Sequence, residues 1–101
     1  MSTIPEGELA VDVFQTASSI VVQTAIAGVG IHDIHISLNH TTLTIKGTRT
    51  PPSEVPHQAY IWQECFWGNF SRSIILPNEV HGDHIQATFV QGVLTVTLPK
   101  K

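Results

Sequence analysis

The segment ATFVQGVLTVTLPKK, residues 87 to 101, sets the pattern for most of the chain. From Val93 the side chains alternate, placing Leu94, Val96 and Leu98 on one face of an extended segment and Thr95 and Thr97 on the other. The same period of two recurs upstream. Ile34, Ile36 and Leu38 alternate with His35 and Ser37, Leu43 and Ile45 with Thr44 and Lys46, and Ile85, Ala87 and Phe89 with Gln86 and Thr88. Asn39-His40 between the first two of these runs predicts a β-hairpin, and Val90-Gln91-Gly92 turns the chain into the last strand. Leu9 to Gln15, Ser19 to Ile26 and Phe70 to Leu76 supply further strands, and no stretch carries a helical period. About seven short strands on this spacing carry the all-β signature of a sandwich or barrel and suggest two packed antiparallel sheets.

One stretch breaks the pattern. RTPPSEVPH, residues 49 to 57, holds three prolines, and each removes a ladder donor, so it cannot join a central sheet. Ala59 to Phe66 after it is aromatic and extended in character, and Asn78 to His84 is a connecting loop. With 101 residues, one domain over about 9–100 is expected, preceded by a short segment over 1–8. Charged residues make up 13% of the chain, about half the usual ~25%, which fits either a surface covered by further copies or partners, or a threonine-rich β surface.

Net charge is −3 and the five basic residues are scattered, which disfavours nucleic acid, because neutralising phosphates needs a basic patch. There is no apolar run long enough for a membrane span and no signal-peptide h-region, so the cytoplasm is the default compartment. A single cysteine, Cys65, excludes an internal disulfide framework. Cys65 lies between Glu64 and Phe66 with no flanking base to activate it, and Ser71 beside Arg72 has no adjacent general base, so an enzyme is not expected. No phosphate-cradling glycine loop is present, and no cofactor is indicated. His32 and His35 are three apart, as are His81 and His84, but both pairs fall near loops with no cysteine close by, and no metal site is assigned. Protonating the six histidines on mild acidification would carry the net charge from −3 past zero and weaken the repulsion that keeps copies apart.

Four motifs in order resemble the small heat-shock protein family with its α-crystallin domain. Ala87, Gly92, Val93, Leu94, Val96, Leu98 and Pro99 match its A-x-x-x-x-G-V-L-x-V-x-L-P signature. Gly68-Asn69-Phe70-Ser71-Arg72-Ser73 before Ile74-Ile75-Leu76-Pro77 is similar to its G-x-F-x-R…LP element. Leu43-Thr44-Ile45-Lys46-Gly47-Thr48-Arg49 is similar to L-x-I-x-G-x-R, and Val11-Asp12-Val13-Phe14 to the opening strand. Where the family usually has D-L-P-G, this sequence has Ala25-Ile26-Ala27-Gly28.

The resemblance implies an all-β, immunoglobulin-like antiparallel sandwich and an ATP-independent chaperone that holds non-native proteins, with a homodimer as the basic unit of any larger oligomer. It implies a groove between two strands, carried here by Ile34, Ile36 and Leu38 on one side and Ile85, Ala87 and Phe89 on the other, which takes tails or client segments. It likens residues 49–65 to the long loop of the bacterial and plant type, which adds a short strand to a partner's sheet. Tyr60, Ile61, Trp62 and Glu64 are the candidate contacts there. Arg72 is implied at the dimer interface in ionic contact, with Glu64 or Asp83 as conceivable partners. The family's N-terminal arm and I-x-I/V tail have no counterpart in the given sequence, so small assemblies, mostly dimers, are expected. The co-chaperone CS domains share the fold and form the alternative, but usually lack both the prolinous loop and the G-V-L-x-V-x-L-P ending.

Overall fold

Alternating apolar positions along the chain become the inner faces of two four-stranded sheets in the computed structural model, which describes residues 7–101. In chain order the strands are β1 (Gly7–Glu8), β2 (Asp12–Gln15), β3 (Ser19–Ala25), β4 (Ile34–Asn39), β5 (Thr42–Arg49), β6 (Gly68–Ile75), β7 (Gln86–Val90) and β8 (Val93–Pro99). One sheet runs β1-β6-β5-β4 and the other β2-β3-β8-β7. All neighbours are antiparallel except β1 and β6.

The core lies between the sheets. Ile20, Val22, Leu94, Val96 and Leu98 from one meet Leu43, Ile45 and Phe70 from the other, all buried, with Ile26, Leu76 and Val80 closing the ends. Each such side chain contributes roughly 1.5–3 kcal/mol through removal from water. The threonines and serines that alternate with them face outward and pair across strands: Thr44 shares a 3.1 Å hydrogen bond with Ser73, and Gln23 donates to Thr95 at 3.3 Å.

Two glycines of the motifs have local reasons. A Cβ on Gly47 would run into the Asp33 carbonyl oxygen and the Phe70 ring, so only glycine lets β4 and Phe70 close over β5. Gln91 and Gly92 both have positive φ, 51° and 78°, the geometry of a tight hairpin whose twist matches its strands. That turn also accepts a 2.6 Å hydrogen bond from the Ile26 amide to the Gly92 carbonyl, tying the β3 exit to the β7–β8 hairpin.

Three elements differ from the sequence expectation. The first strand expected over Leu9 to Gln15 pairs only from Asp12, because the chain crosses between sheets at Leu9 and Ala10. Leu9 turns into the core, and the Ala10 carbonyl accepts a hydrogen bond from the Thr24 hydroxyl at 2.8 Å. Gly7 and Glu8, within the short segment that precedes the domain in the sequence reading, pair with Phe70 and Ser71. Residues 50–67 contain no strand, only a 3-10 turn over His57–Ala59.

Candidate functional site

Among the described residues, β4 and β7 are the outermost strands of their sheets, each with a neighbour on one side only. The turn leading into β7 lies against β4, since a Cβ on Gly82 would be 3.3 Å from Leu38 Cδ2. Register decides which way the side chains point, because directly opposed residues share a face. Ile36 opposes Ile45 and Leu38 opposes Leu43, while Ala87 opposes Val96 and Phe89 opposes Leu94. All four opposed partners are buried, so these edge residues face the interior. Yet Ile36, Leu38 and Phe89 are only half-buried and Ala87 is exposed, as Ile34 and Ile85 are half-buried. The sandwich is therefore open along this side, with inward-facing aliphatic and aromatic groups lining the opening. Of the six residues marked for a groove in the sequence, Ile34, Ile36 and Leu38 lie on β4, Ala87 and Phe89 on β7, and Ile85 just before β7.

Beyond Arg49, which ends β5, residues 50–65 belong to neither sheet. Tyr60 is half-buried, but Ile61 and Trp62 are 90% and 80% exposed, and Glu64 and Cys65 are also exposed. The loop folds on itself instead: Pro51, Pro52, Val55, Tyr60, Trp62 and Trp67 line a shallow cleft of about 300 Å³. At its base the Arg49 guanidinium stands 5.8 Å from the Phe70 ring centroid and its Nη1 donates to the Phe66 carbonyl at 3.4 Å. Phe66 and Trp67 were not marked in the sequence as site residues, although they anchor the end of the loop that returns to β6.

Within the single chain, Arg72 has a partner that the sequence reading did not name. It opposes Ile45 in the β5–β6 register and so starts on the interior face, then runs out along the sandwich end toward the β1–β2 crossing. Its Nη1 donates to the Leu9 carbonyl at 2.8 Å and lies 3.5 Å from Glu8 Oε1. Its ion-pair partner within the chain is Glu8 rather than Glu64 or Asp83, because pairing of β1 with β6 brings that carboxylate alongside. The hydrogen bond to the buried crossing matters more than the ion pair, since the Glu8 side chain is 77% exposed and water screens it.

A second apolar edge escaped the sequence reading. All four residues of β2 are exposed, Val13 and Phe14 at 43% and 47%, and β2 pairs only with β3. Alternation could not reveal this, because exposure at an edge depends on whether another strand lies beyond it.

The model of the Hsp20/alpha crystallin family matches residues 6–101. The chain belongs to this family. Among relatives, the Hsp20 chain is 37% identical over 90 residues to small heat shock protein C2 of Rickettsia felis, a match covering 89% of the chain and 58% of that relative. It therefore spans little more than half of that protein's length. Heat shock protein 16.0 of Schizosaccharomyces pombe superimposes with a TM-score of 0.85 at 32% identity, covering 99% of this chain and 72% of that one. A small heat-shock protein from Xylella fastidiosa, whose crystal structure reveals a distinct high order structure, superimposes with a TM-score of 0.80 at 28% identity, covering 92% and 85%. The sandwich is thus an α-crystallin domain.

Proposed function

We propose that this Hsp20 family chain is a chaperone that holds non-native proteins without ATP and works as a homodimer. The observation that carries the reading is the open β4–β7 side, where inward-facing Ile36, Leu38, Ala87 and Phe89 remain accessible although their cross-strand partners are buried. A segment of an unfolding protein that lays its own apolar side chains there removes surface from water on both sides, the same driving force that closes the core. Such binding draws on burial alone and calls for no catalytic group or nucleotide.

Dimerisation runs through residues 58–64. Ile61 and Trp62 are too exposed to serve their own chain, and of the unpaired edges, β2 offers exposed Val13 and Phe14 for an added strand. Tyr60 and Glu64 flank the pair, and Arg72 acts by holding the β1–β2 crossing that sets the position of β2. Exchange of the loop between two copies satisfies both edges symmetrically.

Light scattering of a heat-denaturing model client tests the reading. Suppression of scattering at several-fold molar excess, equal with and without ATP, is the expected result. Unchanged client aggregation at that excess leaves an α-crystallin domain that is not a holding chaperone, such as a module binding a folded partner.

A further inference from the structure

We infer that the turn before β7 is a binding site for a borderline divalent cation such as Zn²⁺, held by His81, Asp83 and His84. The spacing of the histidines in sequence does not single this turn out, because His32 and His35 are also three apart. The folded backbone does. The His81 amide donates to the Pro99 carbonyl at 2.8 Å, Val80 bridges to Lys100, and the His84 amide donates back to the His81 carbonyl at 3.1 Å. The turn is thereby fixed to the end of β8, and the chain between the histidines closes into a 3-10 turn over Gly82–His84.

Residues three apart on such a turn lie above one another. The two imidazoles meet edge to face with centroids 5.8 Å apart, and Asp83 Oδ1 lies 3.4 Å from His84 Nδ1. One ligand atom from each of the three residues falls within 4.8 Å of the others, the one such group of three among the described residues. A tetrahedral Zn²⁺ at about 2.0–2.2 Å from its ligands holds them roughly 3.3–3.5 Å apart. Asp83 and His84 are already at that separation, and rotation of exposed side chains closes the rest without moving the backbone. Two imidazoles and one carboxylate are the donors that Zn²⁺ and its neighbours prefer, whereas Mg²⁺ and Ca²⁺ favour oxygen throughout. Water completes the coordination. Gly82, between the ligands, lies against Leu38, so a bound ion would also pin one rim of the β4–β7 opening.

Titration of the full chain with zinc chloride against a chromophoric chelator tests the site. About one equivalent per chain is expected, with affinity roughly tenfold or more weaker in His81→Ala and in His84→Ala, and unchanged in His32→Ala. In the unsubstituted protein, imidazole NMR resonances of His81 and His84 should respond to zinc first among the six histidines. No uptake, equal losses in His32→Ala and His84→Ala, or shifts spread evenly over all six histidines would each overturn the inference.

Discussion

Trp62→Ala separates self-association from folding. The indole is 80% exposed in the single chain, so truncating it should move the stability of the folded monomer by no more than about 0.5 kcal/mol. An aromatic side chain covers about 200 Å² when buried, and four fifths of that is about 160 Å², or about 4 kcal/mol at ~25 cal/mol per Å². Alanine keeps part of the contact and association converts area incompletely, which leaves about 2–3 kcal/mol per indole. A symmetric exchange buries two, about 4–6 kcal/mol per dimer, so the dimer Kd should rise by roughly 700-fold or more. Sedimentation velocity over a concentration series measures this, with a thermal melt of the same variant as the control. An unchanged Kd would refute the reasoning, and so would a large fall in Tm, which would mean that Trp62 packs on its own chain.

Ile45→Ala deletes a fully buried side chain at the centre of the sandwich and should cost about 2–5 kcal/mol, lowering Tm by roughly 10 °C or more in a circular-dichroism melt. A shift of only a degree or two would contradict the placement of the core. Arg72→Met should destabilise by about 1–2 kcal/mol through loss of the hydrogen bond to the Leu9 carbonyl, whereas Glu8→Gln should stay within about 0.5 kcal/mol. Urea denaturation ranks the two, and the reverse order would show that the ion pair is the main support of the β1–β2 crossing.

The fold was legible wherever burial has a period of two. Leu94, Val96 and Leu98, and Leu43 with Ile45, announce their inner faces in the sequence and are buried in the structure. Alternation could not single out the residues proposed for a groove, because Ile36 at an edge and Ile45 in the centre carry the same pattern; only strand order separates them. Gly7–Glu8 is too short for any periodicity, so neither β1 nor the Glu8 partner of Arg72 could be read from the sequence. The expected strand start at Leu9 fails for a related reason. Its apolar character serves a crossing between sheets rather than pairing within one. Asp83 joins His81 and His84 only because the turn is anchored to Pro99 of β8, eighteen residues away in sequence, a contact that no local spacing encodes.

The account stands or falls on where a client binds. A photo-crosslinking side chain placed at Ala87, which faces the interior yet is exposed, and another at Thr44 on the outer face of the opposite sheet, should be irradiated while a model client is heated. Strong crosslinking from position 87 and little from position 44 is the predicted result. Equal crosslinking from both positions, or none from 87 while aggregation is still suppressed, would contradict the claim that the open β4–β7 side holds the client.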